Sequence, residues 1–182
     1  GQPPEGPECD PFRARGALET FWSPSRPPAS PGLHAAEPLH RRLAAAAPEI
    51  RPLTRNPFVV HPRDPLPLQP PYAVLASGAG SPAKRAPLEL FRDVARKLAA
   101  DGTQPVFLLG EAELEGGLDR ELGGEWLLWR SPTLPALAAG LAGAVQVVAN
   151  DSGPAHLAGL LGVATEVFFG PTDPALWRPW GP

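Results

Sequence analysis

From residue 72 onward the apolar positions fall into short blocks separated by polar, glycine-bearing loops. Tyr72, Ala73, Val74 and Leu75 predict a first strand. Leu90, Phe91, Val94 and Leu98 recur at helical spacing and predict a helix over 88–100, which Asp101-Gly102 ends. Residues 106–109 predict a second strand running into Gly110, 111–122 a weak helical stretch, and 126–129 a third strand. Leu134, Leu137, Ala138 and Leu141 mark the next helix; 145–149 is the fourth strand, 154–161 a helix and 165–169 the fifth strand. Strands alternating with helices at this spacing predict an α/β fold, an open parallel sheet with helices on both faces.

The first 70 residues follow another pattern. Of the 27 prolines, 17 lie in residues 1–71, whereas 15 of the 19 glycines lie beyond them. One helix, over 35–46, is predicted there, among looping or polyproline-like segments. Residues 1–33 read as partly disordered, with Phe12, Phe21 and Trp22 as aromatics in search of a packing partner. The chain has no methionine and stops at Trp180-Gly181-Pro182 in loop-like sequence, which reads as a piece of a longer protein. Two regions are expected: a proline-rich 1–70 and a sheet-forming 71–182.

Composition narrows the function. A net charge of −3 gives no electrostatic reason to expect nucleic acid as a partner. Cys9 is the only cysteine, so an internal disulfide and a cysteine metal cluster are excluded. His34, His40 and His61 have no partners at metal-ligand spacing, and no acidic pair suggests a metal site. The weakly polar stretch 134–149 is interrupted by proline and glycine and falls short of the ~20 apolar residues of a membrane span. No secretory signal pattern opens the chain.

Ligands of open parallel sheets gather outside the carboxyl ends of the strands. The polar and glycine-rich clusters fall there: 77–84 after the first strand, 110–113 after the second, 150–156 after the fourth and 170–173 after the fifth. Gly78 and Gly80, with Ser81 beside them, supply the glycines that let backbone approach a phosphate. Lys84 ends that loop, and it is one of only two lysines among 16 basic residues. A solvated surface lysine is the plain alternative. Glu111 and Glu113 suit either the hydroxyls of a ribose or an acidic helix start. Asp151, Ser152, Gly153 and His156 lie where a helix begins after a strand, a natural phosphate site or simply a capped helix. The segment lacks the flanking glycine elbow of a serine hydrolase.

Asp151-Ser152-Gly153-Pro154-Ala155-His156-Leu157-Ala158, followed by Phe169-Gly170-Pro171-Thr172-Asp173-Pro174, resembles the signature of glycosyltransferase family 9, the ADP-heptose:lipopolysaccharide heptosyltransferases and their relatives. The run from Gly78 to Arg85 with Pro87-Leu88 is similar to that family's glycine-serine-lysine loop, and Gly110 to Glu113 to its glycine-to-glutamate turn. The resemblance covers residues 72–182. It implies the carboxyl-terminal, nucleotide-sugar-binding half of a two-domain GT-B enzyme with Rossmann-like domains, residues 30–70 being the end of the amino-terminal domain and the linker. By resemblance, Ser81 and Lys84 meet the diphosphate and Glu113 the ribose, with Gly80 also in the donor site. Asp151 meets donor sugar hydroxyls, while Ser152, Gly153 and His156 border the diphosphate. Two departures stand out: Ala86 replaces a usual aromatic and Ala76-Ser77 a usual His-Pro, which is expected to remove bulk from the donor pocket.

The implied function is inverting transfer of a heptose-like sugar from an ADP-linked donor to a lipopolysaccharide or other envelope glycan. It needs no cofactor and no metal, and its base lies on the amino-terminal domain. The implied partners are the nucleotide sugar, a glycan or glycolipid acceptor and that other domain. The implied location is the cytoplasm, with peripheral membrane contact only through the intact protein. A non-catalytic nucleotide-sugar-binding module and a nucleotide-sugar epimerase are the rival readings.

Overall fold

The computed structural model describes residues 34–46 and 67–181. The chain divides into two compact units, Gly1–Thr54 and Arg55–Pro182. In the first, α1 spans Ala36–Ala46. His34 Nδ1 accepts the Ala36 N–H at 3.1 Å, and Glu37 pairs with Arg41 one turn on at 3.7 Å. The expectations for residues 1–33, including Phe12, Phe21 and Trp22, and for His61 lie outside the described residues.

The second unit carries five parallel strands: β1 (Tyr72–Ala76), β2 (Gln104–Leu109), β3 (Leu127–Arg130), β4 (Gln146–Asn150) and β5 (Thr165–Phe168). Their order is β3-β2-β1-β4-β5. Val74 at the centre faces Val106 on one side and Val147 on the other. Helices α2 (Leu88–Ala100), α3 (Glu111–Glu115), α4 (Leu118–Leu122), α5 (Leu134–Ala142) and α6 (Gly153–Leu160) connect the strands, and α7 (Pro174–Trp177) follows β5.

Strand residues alternate between two cores, as a period of two demands. Val74, Val106, Leu108 and Val147 pack with Leu141 of α5 and Ala155 and Ala158 of α6. Leu75, Phe107, Leu109 and Val148 pack with Phe91 and Ala95 of α2 and Leu122 of α4. Phe91 is fully buried and meets Phe168 edge-on at 5.3 Å, a placement worth about 1.5–3 kcal/mol in burial alone. The small residues of α5 serve this packing: a Cβ on Gly140 would run into the Trp129 indole.

The alternation of elements is as expected from the sequence, with two local differences. The weak helical stretch over 111–122 is two short helices, because Gly116 and Gly117 interrupt it and Gly117 takes φ +77°, a left-handed conformation natural to glycine. Beyond β5, the Asp173 side chain accepts the Ala175 N–H at 2.9 Å and starts α7, for which the apolar pattern carries no signal. Among the described residues no helix is long and apolar enough to cross a membrane.

Candidate functional site

At the carboxyl ends of the strands lies a cavity of about 540 Å³. Its walls come from every strand end but the last: Ala76 and Gly78–Gly80 after β1, Gly110–Glu113 after β2, Ser131-Pro132 after β3, and Ser152–Pro154 after β4. Leu108 and Leu137 add apolar surface. Most of the lining residues are therefore glycine, proline or aliphatic, with Glu111, Glu113, Ser131 and Ser152 as the polar exceptions.

Glu113 has two attachments. Its Oε2 accepts the Gly110 N–H at 3.0 Å, which caps the start of α3. Its Oε1 lies against Gly78, so close that a Cβ there would collide with it. The helix-start reading of Glu113 is thus true, and the same carboxylate also lines the cavity.

Beside this cavity stands a polar cluster centred on Asp151. The carboxylate is nearly buried, with 4% of its side chain exposed. Lys84 Nζ donates to Oδ2 at 2.7 Å and Thr172 Oγ1 donates to the same oxygen at 2.8 Å. His156 Nε2 lies 3.5 Å from Oδ1. Burial by itself would raise the Asp151 pKa. The hydrogen bonds from Lys84 and Thr172, with the nearby charges of Lys84 and His156, outweigh that and hold it below the ordinary carboxylate range. Lys84 is therefore not a freely solvated cation.

The start of α6 is open in the sense that matters for anions. Ser152 occupies the cap position, yet no side chain caps the first turn, and Ser152 Oγ donates instead to the Asn150 carbonyl at 3.0 Å. The positive end of the helix dipole thus faces the cavity edge formed by Ser152 and Gly153.

Of the eight residues singled out in the sequence, Gly80, Glu113, Ser152 and Gly153 line the cavity. Lys84, Asp151 and His156 form the adjoining cluster. Ser81 belongs to neither; its carbonyl accepts the Lys84 N–H at 3.0 Å and opens the 3-10 turn Pro82–Lys84. The two departures separate as well. Ala76 lines the 540 Å³ cavity, whereas Ser77 and Ala86 line a neighbouring one of about 250 Å³, so the bulk lost at Ala86 is not lost from the larger pocket.

Several site residues carry no sequence signal for their role. Thr172 stands within a family-like run, but its bond to a residue 21 positions earlier is not readable from spacing. Ser131 and Pro132 belong to no motif. Ser131 has φ +38°, rare for a non-glycine residue, at the end of β3 where the cavity wall turns. Among the described residues no group of three or more His, Cys, Asp or Glu side chains is placed to hold a metal ion.

Comparisons with known proteins agree with one another. The model of glycosyltransferase family 9 (heptosyltransferase) matches residues 27–182. E. coli heptosyltransferase WaaC with ADP is similar in structure, with 27% identity, a TM-score of 0.68, and coverage of 84% of this chain and 49% of that one. E. coli ADP-heptose LPS heptosyltransferase II matches at 27% identity and TM-score 0.54, over 61% of this chain and 36% of its own. A family 9 glycosyl transferase from Veillonella parvula matches at 27% and 0.54, over 60% and 33%. The chain thus spans at most about half the length of these relatives. No curated protein matches at a significant level. With four strand-end motifs in order, a matching family model over most of its length and this strand topology, the chain belongs to glycosyltransferase family 9.

Proposed function

We propose that the chain is the donor-binding half of an inverting glycosyltransferase that moves a heptose-like sugar from a nucleotide sugar to a lipopolysaccharide or related envelope glycan. One observation carries this reading. A glycine-rich strand-end loop, a cavity-lining carboxylate and an uncapped helix start converge on a single 540 Å³ cavity, with a lysine–aspartate pair alongside. That is a polar backbone edge for phosphates joined to an aliphatic recess for a base.

In this reading the base lies against Leu108, Pro132 and Leu137, and Glu113 accepts from the ribose hydroxyls. The diphosphate sits between the Gly78–Gly80 backbone and the start of α6, within reach of Lys84. Asp151 borders the donor sugar, and His156 borders the diphosphate with Ser152 and Gly153. The similar WaaC structure is one with ADP, which makes adenine the first base to try. No cofactor takes part.

The chemistry is displacement at the anomeric carbon. An acceptor hydroxyl oxygen forms the new bond as its proton passes to a carboxylate in the portion of the relatives that this chain does not span. The bond to the diphosphate breaks and its electron pair leaves on the phosphate oxygen. Lys84, the backbone N–H groups near Ser152-Gly153 and the α6 dipole stabilise that charge, a contribution typically of roughly 3–4 kcal/mol per well-placed donor. The intact protein acts in the cytoplasm, meeting the membrane only through a glycolipid acceptor.

A thermal-shift screen of the chain against ADP-, UDP- and GDP-sugars tests this directly. An ADP-sugar at a hundred times its Kd should add about 2.7 kcal/mol of stability. No shift with any nucleotide or nucleotide sugar would sink the reading.

A further inference from the structure

Asn150 is the last residue of β4, and none of it is exposed. Its Nδ2 donates to the Ser77 carbonyl at 2.7 Å, and its Oδ1 accepts the Ala86 N–H at 3.0 Å. Ser77 is where the chain leaves β1, and Ala86 stands two residues before α2 begins. One side-chain amide therefore holds the loop both where it departs from the sheet and where it reaches α2.

The loop between those ends is braced internally. The Lys84 and Arg85 N–H groups bond to the Ser81 and Pro82 carbonyls at 3.0 Å each, and the Arg85 guanidinium donates to the Ala79 carbonyl at 3.2 and 3.3 Å. A loop so tied behaves as one body whose orientation depends on its anchors. Two anchors are the atoms of Asn150; the third is the Lys84–Asp151 pair, held by the very next residue of the chain.

From this geometry we infer that Asn150 is a positioning residue, whose buried amide presets the Gly78–Gly80 backbone and Lys84 for a diphosphate. The inference rests on the nucleotide site proposed above. Asn150 does not line the cavity, so its influence passes through the loop. An amide of this length offers a donor and an acceptor together in one small planar group. A carboxylate at 150 keeps an acceptor for Ala86 but sets an oxygen against the Ser77 carbonyl. An aliphatic residue leaves both backbone groups without that partner, a costly arrangement in a buried place.

The test uses the whole chain and two readouts. Amide hydrogen exchange on the wild type reads the tether without any mutation: the Ala86 amide should be protected to the level of β1, far beyond that of Gly80. Calorimetry with adenosine and with ADP then compares wild type with Asn150→Leu, which removes both hydrogen bonds without adding a charge near the phosphates, far-UV circular dichroism confirming that the variant is folded. The ADP-to-adenosine affinity ratio, which isolates the phosphates, should fall at least tenfold while adenosine affinity holds. A general loss of packing would instead weaken both ligands together. An unprotected Ala86 amide overturns the inference, as does an unchanged ratio in the folded variant. A wild type that binds neither ligand removes the nucleotide site instead, and the exchange result then decides the tether alone.

Discussion

Lys84 Nζ and Asp151 Oδ2 are 2.7 Å apart although 67 residues separate them in the chain. The Asp151 side chain is nearly buried and the Lys84 side chain about one-third exposed, so of the two partners the lysine is the one open to solvent. In the proposed reading, an arriving phosphate meets a cation already held in place, at the cost of sharing it with Asp151. Preorganisation of that kind favours charge that develops during a reaction over charge that merely rests in the site.

Removing the cation should therefore weaken phosphate-bearing ligands above all. Lys84→Ala is expected to lower ADP affinity by roughly 1.5–3 kcal/mol, about ten- to a hundredfold, as for a charged hydrogen bond. Isothermal calorimetry measures this; equal affinity in variant and wild type would return Lys84 to a purely structural role.

Asp151 makes stability depend on pH at the acid end. Its folded pKa lies below the ordinary value, after burial's opposing effect is outweighed by Lys84 and Thr172. The unfolded chain therefore takes up the proton first as pH falls. The contribution is complete above the unfolded pKa of about 3.9, and is lost as pH drops through the folded one. Comparing the melting temperature of wild type with Asp151→Asn should show a gap that is flat from about pH 5 to 7 and closes below about 4. A gap that widened with acid would contradict the assignment.

Gly78 and Glu113 share one patch of space. Because the obstacle to a Cβ at 78 is the end of a flexible side chain, Gly78→Ala should displace the Glu113 carboxylate while costing no more than about 1 kcal/mol of stability. Recognition of the sugar hydroxyls should suffer instead. The preference for ADP over its 2′,3′-dideoxy analogue, measured by calorimetry, should shrink about tenfold, and an undiminished preference would place the ribose elsewhere.

Donor binding should survive chelation. The described residues hold no cluster of three or more metal-ligating side chains, and the positive groups at the site belong to the protein itself. Titrating ADP into protein pretreated with EDTA should give the affinity of untreated protein; loss of binding by a folded sample would require an ion in the site.

Binding without turnover is the last expectation. Glu111 and Glu113 line the cavity after β2 and Asp151 is occupied by Lys84 and Thr172, so none is placed as the base for an acceptor hydroxyl in the proposed arrangement. The chain alone, incubated with labelled nucleotide sugar and acceptor, should transfer nothing. Labelled product would relocate the base to this half.

Much of the fold was legible because its signals are local. The spacing of Leu90, Phe91, Val94 and Leu98 specifies α2 without reference to anything else, and the apolar blocks mark the strands. The strand-end rule then located Glu113, Ser152 and Gly153 on one edge of the sheet, and they do share a cavity. What stayed hidden depends on pairing across the chain. Nothing near Asn150 announces that its amide reaches Ser77 and Ala86, and nothing near Thr172 points to Asp151. Lys84 drew notice for its rarity, which says nothing about its partner. The Gly116-Gly117 break was visible as residues, yet a weak apolar pattern gave no reason to divide the helix there.

The strand order has a further consequence. After β1 the chain turns to α2 on one face of the sheet, while after the adjacent β4 it turns to α6 on the other. Two neighbouring strands thus send their exits to opposite faces, the arrangement beside which ligands of open parallel sheets gather, and the recess lies at that edge. The recess is a by-product of how the chain winds. Apart from Ala76, Leu108 and Leu137, which belong to or pack on one core, its lining comes from loops and helix starts, so that part can change while both cores stay packed.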